Sequence, residues 1–106
     1  MPDFMNILKQ AQEMQGRFQK IQEELQHMTV TGASGGGMVV AEVTGTGQLK
    51  KLKLDPSVVN PADIEMLEDL VTVAISDAQA KAQTMAQEEM GKLTGGLNLP
   101  FKLPFG

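Results

Sequence analysis

The chain has 106 residues, no cysteine and a formal net charge of −4. Its length suits one domain, and the lack of cysteine excludes disulfides, thiolate nucleophiles and sulfur-ligated zinc. The acidic balance argues against a partner that is held through a broad positive field, nucleic acid included.

A long amphipathic helix is predicted from about Asp3 to Met28. Its apolar residues step alternately by four and three, which is the a/d pattern of three heptads. This apolar seam consists of Ile7, Ala11, Met14, Phe18, Ile21, Leu25 and Met28. A helix of about 25 residues is roughly 38 Å long, more than the width of a small sheet. We therefore expect part of the seam to contact another helix, in the same chain or in a second copy. The alternative is a helix that packs only on its own core.

Three strands are predicted after this helix. They cover Met28–Thr31, Met38–Thr44 and Leu49–Leu54. The glycines between them do not form a phosphate loop, because no Gly-Lys-Ser/Thr follows and no helix begins after them. Gly45 and Gly47 lie between two alternating strands, where glycine supplies a positive φ. The glycines are interpreted as turns.

The second and third strands have one apolar and one charged face. A hairpin loop of two or four residues places the charged side chains Glu42, Lys51 and Lys53 together, opposite the core. The apolar residues that then share this outer face with the charges are Met38, Val40 and Leu49. A mixed face of this kind is often covered by a partner.

A second long helix is predicted to begin at Asn60-Pro61, with Asn60 as the N-cap and Pro61 as the first helical residue. It is expected to reach about Met90 and to stop near Gly91. Beyond Ala78 the apolar stripe thins, so the later half of this helix is expected to be less buried and to project. The chain thus divides into a domain over residues 1–93 and a Gly/Leu/Pro/Phe segment over residues 94–106. That segment is expected to be flexible, with a short binding peptide as the alternative.

No catalytic or metal site is predicted. The single histidine, His27, has no nucleophile constellation around it in the sequence. Glu65, Glu68 and Asp69 lie in the first turns of the second helix, where the helix dipole favours carboxylates. No cofactor is expected.

Lysines cluster on the third strand. Lys50, Lys51 and Lys53 have no aromatic neighbours of the kind that stack on single-stranded bases. The residues alone favour a solvated face, or one paired with Glu42, over a DNA contact.

Several sequence blocks resemble the YbaB/EbfC family of bacterial nucleoid-associated proteins. In the first half of the chain they are Lys9-Gln10-Ala11-Gln12, Met14-Gln15, Ile21-Gln22-Glu23-Glu24-Leu25, Val30-Thr31-Gly32 and Gly35-Gly36-Gly37. In the second half they are Leu54-Asp55-Pro56-Ser57, Glu65-Met66-Leu67-Glu68-Asp69-Leu70 and the Gly/Leu/Pro-rich end. The blocks occur in order over nearly the whole chain, and the most specific are those that contain Asp55-Pro56-Ser57 and Glu65-Met66-Leu67-Glu68-Asp69-Leu70.

The resemblance implies an α+β fold of α-β-β-β-α order, with a three-stranded antiparallel sheet and long terminal helices. It further implies a tweezer-like homodimer that binds double-stranded DNA in the cytoplasm, at the nucleoid, with a role in nucleoid organisation or gene regulation and no catalysis. The family offers no compact contact motif. The DNA-contact residues are therefore inferred from charge on the helices: Lys9, Arg17, Lys20, Lys81 and Lys92. The expected dimer contacts are Ile7, Met14, Phe18, Ile21, Leu25, Met38 and Val40.

A protein-interaction adaptor is the main alternative. Such a protein would bind replication or recombination proteins without touching DNA. It would use Met38, Val40, Leu49 or the Leu-Pro-Phe repeat near the C-terminal end.

Overall fold

The computed structural model describes residues 4–95, which form two helices around a three-stranded sheet. The elements are α1 (Phe4–Gln26), β1 (Thr29–Ser34), β2 (Val39–Thr44), β3 (Leu49–Leu54) and α2 (Ile64–Gly95). Short 3-10 turns cover Gly35–Gly37 and Pro56–Val58. The predicted α+β fold with α-β-β-β-α order is confirmed.

The core lies between α2 and one face of the sheet. β2 is the central strand and pairs antiparallel with β1 and β3. The inner-face side chains of β2 are fully buried against small residues of α2; the set comprises Val39, Ala41, Val43, Ala74, Ala78 and Ala82. α2 covers β1 and β2 but leaves β3 largely uncovered. The apolar residues of the edge strand β3 are therefore only half-buried or exposed.

The close approach of α2 to β1 depends on Gly32. A Cβ at this position would lie 2.2 Å from the Ala78 nitrogen and 2.6 Å from the Ala74 carbonyl oxygen. Real Cβ contacts are never that short, and both neighbours are backbone atoms that cannot turn aside. Only glycine allows the helix to sit this near the strand.

The prediction that Leu49 lies on the outer face is wrong. The register joins Glu42 to Lys51 but Val43 to Leu49, so Lys50 is an extra residue in a β-bulge. Because partners across two strands share a face, Leu49 lies on the side of Val43. It remains 49% exposed because α2 does not reach β3.

The hairpin glycines have different roles. Gly47 has φ 92°, as predicted for a turn glycine, whereas Gly45 is not among the residues with positive φ. Gly45 is required for contact: its N–H donates to the Leu25 carbonyl over 2.7 Å, and a Cβ would lie 2.6 Å from that oxygen. The turn thus serves as the attachment point of α1.

The predicted bounds of β1 and α1 need small corrections. β1 starts at Thr29 and continues to Ser34, three residues beyond the predicted end, because it pairs with β2 along its whole length. The Ser34 hydroxyl also donates to the Leu70 carbonyl over 2.6 Å, which holds the strand end on α2. α1 ends at Gln26 instead of Met28.

α2 begins at Ile64, because Asp63 and not Asn60 is its N-cap. The Met66 N–H donates to Asp63 Oδ1 over 3.2 Å, the usual bond between an N-cap and the third helical residue. Asn60 caps a separate turn, in which its Oδ1 accepts from the Ala62 N–H over 3.0 Å.

α2 continues through Gly91 to Gly95, past the predicted stop. A single glycine inside a helix costs only about 1 kcal/mol relative to alanine, too little to end a helix flanked by good helix formers. In the sequence, Gly95 is followed by a second glycine. The remainder of the predicted flexible segment, residues 96–106, lies outside the described residues.

Candidate nucleic-acid interface

α1 leaves the globule as an arm. Among its residues only Leu25 is buried, at 1% exposure, where it packs against Gly45 of the hairpin. The overall extents of 74 × 25 × 16 Å show how far the protein departs from a sphere. Before Leu25, every side chain of α1 is therefore exposed or half-buried among the described residues.

The apolar seam of this arm is open to solvent. Ile7 is 57% exposed and Phe18 47%, while Met14 and Ile21 are half-buried. Further apolar residues near the start of α1 are also exposed, namely Phe4, Met5 and Leu8. Leu25 differs from the rest of the seam, because contacts inside the protomer already cover it.

Three cations lie on a different side of α1 from the seam. At about 100° per residue, Lys9, Arg17 and Lys20 fall within an arc of about 80°, centred well away from the seam. Two carboxylates, Glu13 and Glu24, lie in the same arc. None of the three cations makes an ion pair within 4.0 Å in the described residues. The arm therefore joins an apolar side to a side of mixed charge.

The two predicted DNA contacts on α2 are paired with carboxylates. Lys81 Nζ lies 3.1 Å from Asp77 Oδ2, and Lys92 Nζ lies 3.2 Å from Glu89 Oε1. Both lysines are well exposed, so these pairs are weak and can be exchanged for another anion. Their charge is nonetheless locally balanced, which distinguishes them from the cations of α1.

Asp77 has a second role at the sheet edge. Its Oδ2 accepts a hydrogen bond from the Ala33 N–H of β1 over 3.1 Å. This bond, with a smaller contribution from Lys81, holds the pKa of Asp77 below its ordinary value. Asp55 is similar, because the Ser57 N–H lowers its pKa.

The outer face of the sheet has two halves. Near the first turn it is apolar, with Met38 40% exposed and Val40 half-buried beside Ala33. Near the arm it is polar, and Glu42 lies opposite Lys51. The predicted interface residues Met38 and Val40 thus occupy one half only.

Sequence reasoning missed the position of Lys50. The bulge turns it to the outer face, and its Nζ donates to the Thr29 hydroxyl across β2 over 2.7 Å. Two adjacent lysines in Leu49-Lys50-Lys51-Leu52 break the alternation of a regular strand, and that signal could have revealed the bulge.

A polar cleft lies where α1 meets α2 above the hairpin. It is lined by the side chains of Gln22, Gln79 and Gln83, and the Gln79 amide donates to the Gly47 carbonyl over 3.1 Å. The three glutamines lie on different elements, and no motif in the sequence marks the cleft. Its amides can donate to a ligand and accept from it, but none is charged.

Within residues 4–95 no group of three or more metal-ligating side chains converges. His27 is exposed in the turn after α1, and Glu65, Glu68 and Asp69 are exposed at the start of α2. In the same residues, neither helix combines the length and the apolar character that a bilayer crossing requires.

The comparisons with known proteins agree over most of the chain. The model of the YbaB/EbfC DNA-binding family matches residues 1–97. A nucleoid-associated protein of Gemmatimonas aurantiaca is 55% identical over 103 residues, covering 97% of this chain and 99% of the relative. One from Paramagnetospirillum magneticum is 51% identical over 107 residues, covering 99% and 100%.

A solved structure supports the fold. The crystal structure of an uncharacterized protein from Helicobacter pylori aligns with a TM-score of 0.78 at 23% identity, covering 89% of this chain and 99% of that one. The family is assigned from the family model and from the two curated relatives, each of which matches more than nine-tenths of the chain. The chain is a member of the YbaB/EbfC DNA-binding family.

Proposed function

We propose that two copies of the chain pair through the apolar seam of α1 and together bind the backbone of double-stranded DNA. The observation that carries this proposal is the exposed seam, which lies on a helix that bears Lys9, Arg17 and Lys20 on a different face, about 110° around its axis. One side of the arm suits a second protein chain and the other suits an anion.

The energetics favour pairing. A helix with little tertiary contact is marginal in water, because most helical stability in proteins comes from packing of the apolar face. Burial of one Ile, Leu or Phe side chain is worth about 1.5–3 kcal/mol. A second seam would cover Ile7, Met14 and Phe18 on both copies, and the arms would gain the contacts that each lacks alone.

The chemistry of the cations favours the phosphate backbone. Lysine and arginine side chains that neutralise phosphates release condensed counterions, so affinity falls steeply with salt. Contacts to phosphate position a protein but carry no base information. We therefore expect binding with weak sequence preference.

The names of the curated relatives support a location at the nucleoid. Both relatives described above are called nucleoid-associated proteins. We infer a role in nucleoid organisation or gene regulation in the cytoplasm, without a catalytic step.

Fluorescence anisotropy with a labelled duplex at about 50 and 200 mM salt tests the DNA contact. Wild-type protein should bind at low salt and lose affinity steeply at high salt. The double variant R17Q/K20Q should bind all duplex sequences more weakly by the same factor. Absence of binding at low salt, or binding that ignores salt, contradicts the proposal.

Analytical ultracentrifugation tests the pairing. The seam variant I7Q/F18Q should sediment as a single copy at concentrations where wild-type protein forms pairs. Q12A/Q19A, changed at two exposed polar positions of the same helix, is the matched control and should behave as wild type. A wild-type protein that stays single at micromolar concentration rules out the dimer.

A protein-interaction adaptor for replication or recombination proteins is the second candidate. Exposed apolar residues outside the arm favour it, since Met38 is 40% and Leu49 49% exposed. A pull-down after nuclease treatment that retains partners in wild type and loses them in M38Q/L49Q would support this function. Partners that disappear with the DNA would exclude it.

A further inference from the structure

We propose that the arm-side half of the sheet's outer face is a second binding surface for the DNA backbone. This lysine face consists of Thr29, Thr31, Lys50 and Lys51, with Lys53 at its border. The inference deepens the proposed function, on which it rests, and gives the sheet a direct part in the contact. Its ligand is the sugar-phosphate backbone of a duplex.

The β-bulge builds this face. In a regular strand Lys50 and Lys51 would point to opposite sides. The extra residue at Lys50 brings both side chains to the outer face, which the bond from Lys50 Nζ to the Thr29 hydroxyl confirms for Lys50. Thr29 and Thr31, also exposed, belong to this face because their neighbour Val30 faces the core. Two ammonium groups and two hydroxyls thus share one surface.

The charge of this face is poorly compensated. Lys50 is held by a neutral hydroxyl, so its positive charge is positioned without being cancelled. Glu42 is the sole carboxylate in the three strands, and it makes no ion pair within 4.0 Å in the described residues. The strands carry three lysines against that single acid.

The other cation groups are more nearly neutral. On α1, Glu13 and Glu24 lie in the arc of the three cations, and on α2 both Lys81 and Lys92 are bound to carboxylates. In a protein with a formal net charge of −4, a local excess of cations is what draws an anionic polymer. Within residues 4–95 that excess is largest on the sheet.

The position of the face suits the same ligand that the arms would hold. β1 begins at Thr29, directly after the turn that ends α1, so the lysine face adjoins the base of the arm. The apolar half of the outer face, with Met38 and Val40, lies at the far end and stays available to a protein partner. A duplex lying along the arm can therefore reach Lys50 and Lys51 without displacing that partner.

The variant K50Q/K51Q tests the face by anisotropy with a labelled duplex. The slope of log K against log salt is negative, and each lost phosphate contact should make it less steep by about 0.9, or about 1.8 per copy for the two lysines. The loss should be the same for unrelated duplex sequences. Sedimentation and unfolding of the variant are compared with wild type, so that a change of assembly or fold is recognised.

Two further variants sharpen the test. N98D/K102Q makes the same change in net charge outside the described residues, so it measures the effect of total charge and should leave the slope close to that of wild type. E42Q removes the carboxylate from the face and should raise the affinity. If the lysine face were merely structural, removing its lysines and removing its carboxylate would not change the affinity for DNA in opposite directions.

The outcomes separate the two proposals. If wild type binds, R17Q/K20Q binds weakly and K50Q/K51Q keeps the wild-type slope, the lysine face is ruled out and the arms remain. If wild type fails to bind duplex at low salt, both proposals fall. Lysines also protect sheet edges from pairing with other chains. If K50Q/K51Q only self-associates and its salt slope is unchanged, that protective role replaces the proposal.

Discussion

The arm and the base of this protein are built on opposite principles. In the base, Val39, Ala41 and Val43 are fully buried against Ala74 and Ala78 of α2. In the arm, one residue of twenty-three is buried, and large apolar side chains face solvent. The base buries its apolar side chains within the chain, whereas most apolar side chains of the arm stay exposed or half-buried.

This difference places the packing that stabilises the single chain in the base, and the surface for the proposed partners in the arm. Small residues let α2 approach the sheet closely, so the base can hold its shape with little volume. The arm lacks such packing in the described residues, and the proposed pairing of two copies would supply it. Substitutions in the two regions should therefore differ in size and in dependence on protein concentration.

The largest effect is expected from Gly32→Ala. The new Cβ would lie 2.2 Å from the Ala78 nitrogen, so α2 has to move away from β1. We expect a loss of about 3 kcal/mol in the free energy of unfolding, measured by urea titration followed by circular dichroism.

Gly16→Ala is the matched control in the arm, where no atom lies within 4 Å of the added methyl. It should stabilise the protein by up to about 1 kcal/mol, because alanine favours a helix interior. Equal effects of the two substitutions would show that arm and base do not differ in packing.

The next effect is expected from Leu25→Ala, at the joint between the regions. Removal of this buried side chain should cost about 2–3 kcal/mol at every protein concentration, since its contacts lie within one chain. Phe18→Ala, 47% exposed in the protomer, should instead give a loss that depends on concentration. Unfolding of both variants at two concentrations decides the matter. If the loss of stability in Leu25→Ala varied with protein concentration, the contacts of Leu25 would not lie within one chain.

The smallest effect concerns pH. Because hydrogen bonding keeps the pKa of Asp77 below its ordinary value of 3.8, this carboxylate stabilises the fold above that pH. The contribution is lost as the pH falls through the lowered pKa. The midpoint temperature of thermal unfolding should therefore fall less in Asp77→Asn than in wild type between about pH 6 and pH 2. A fall of the same size in the variant and in wild type would contradict this role of Asp77.

The sequence predicted the order of elements because each carries its own local signal. Heptad spacing marks α1, alternation marks β2 and β3, and the approach to α2 is marked by caps. Competition between signals explains the errors there: Asn60 and Asp63 are both good N-caps, and the nearer one to the apolar stripe begins the helix. Gly91 failed as a stop because its neighbours favour the helix more than one glycine opposes it.

The candidate site was less predictable because it depends on tertiary neighbours. Nothing local distinguishes the buried Leu25 from the exposed Phe18, which share one seam; Leu25 is covered because the hairpin residue Gly45 packs against it. Whether Lys81 is paired likewise depends on an orientation of Asp77 that β1 helps to fix. Lysines and arginines can be counted in a sequence, but which of them are paired with carboxylates is known only from the structure.

The bulge in β3 has a consequence for insertions and deletions. Without it, Lys50 would oppose Val43 and direct an ammonium group toward the core, while Leu49 would turn to water. The single added residue restores the parity of the strand. If the loop at positions 45–48 lost one residue, β3 could straighten and pair residue 50 with Val43. Residue 50 would then face the core and would have to be apolar. Loop length and the residue at position 50 are therefore expected to change together among related chains.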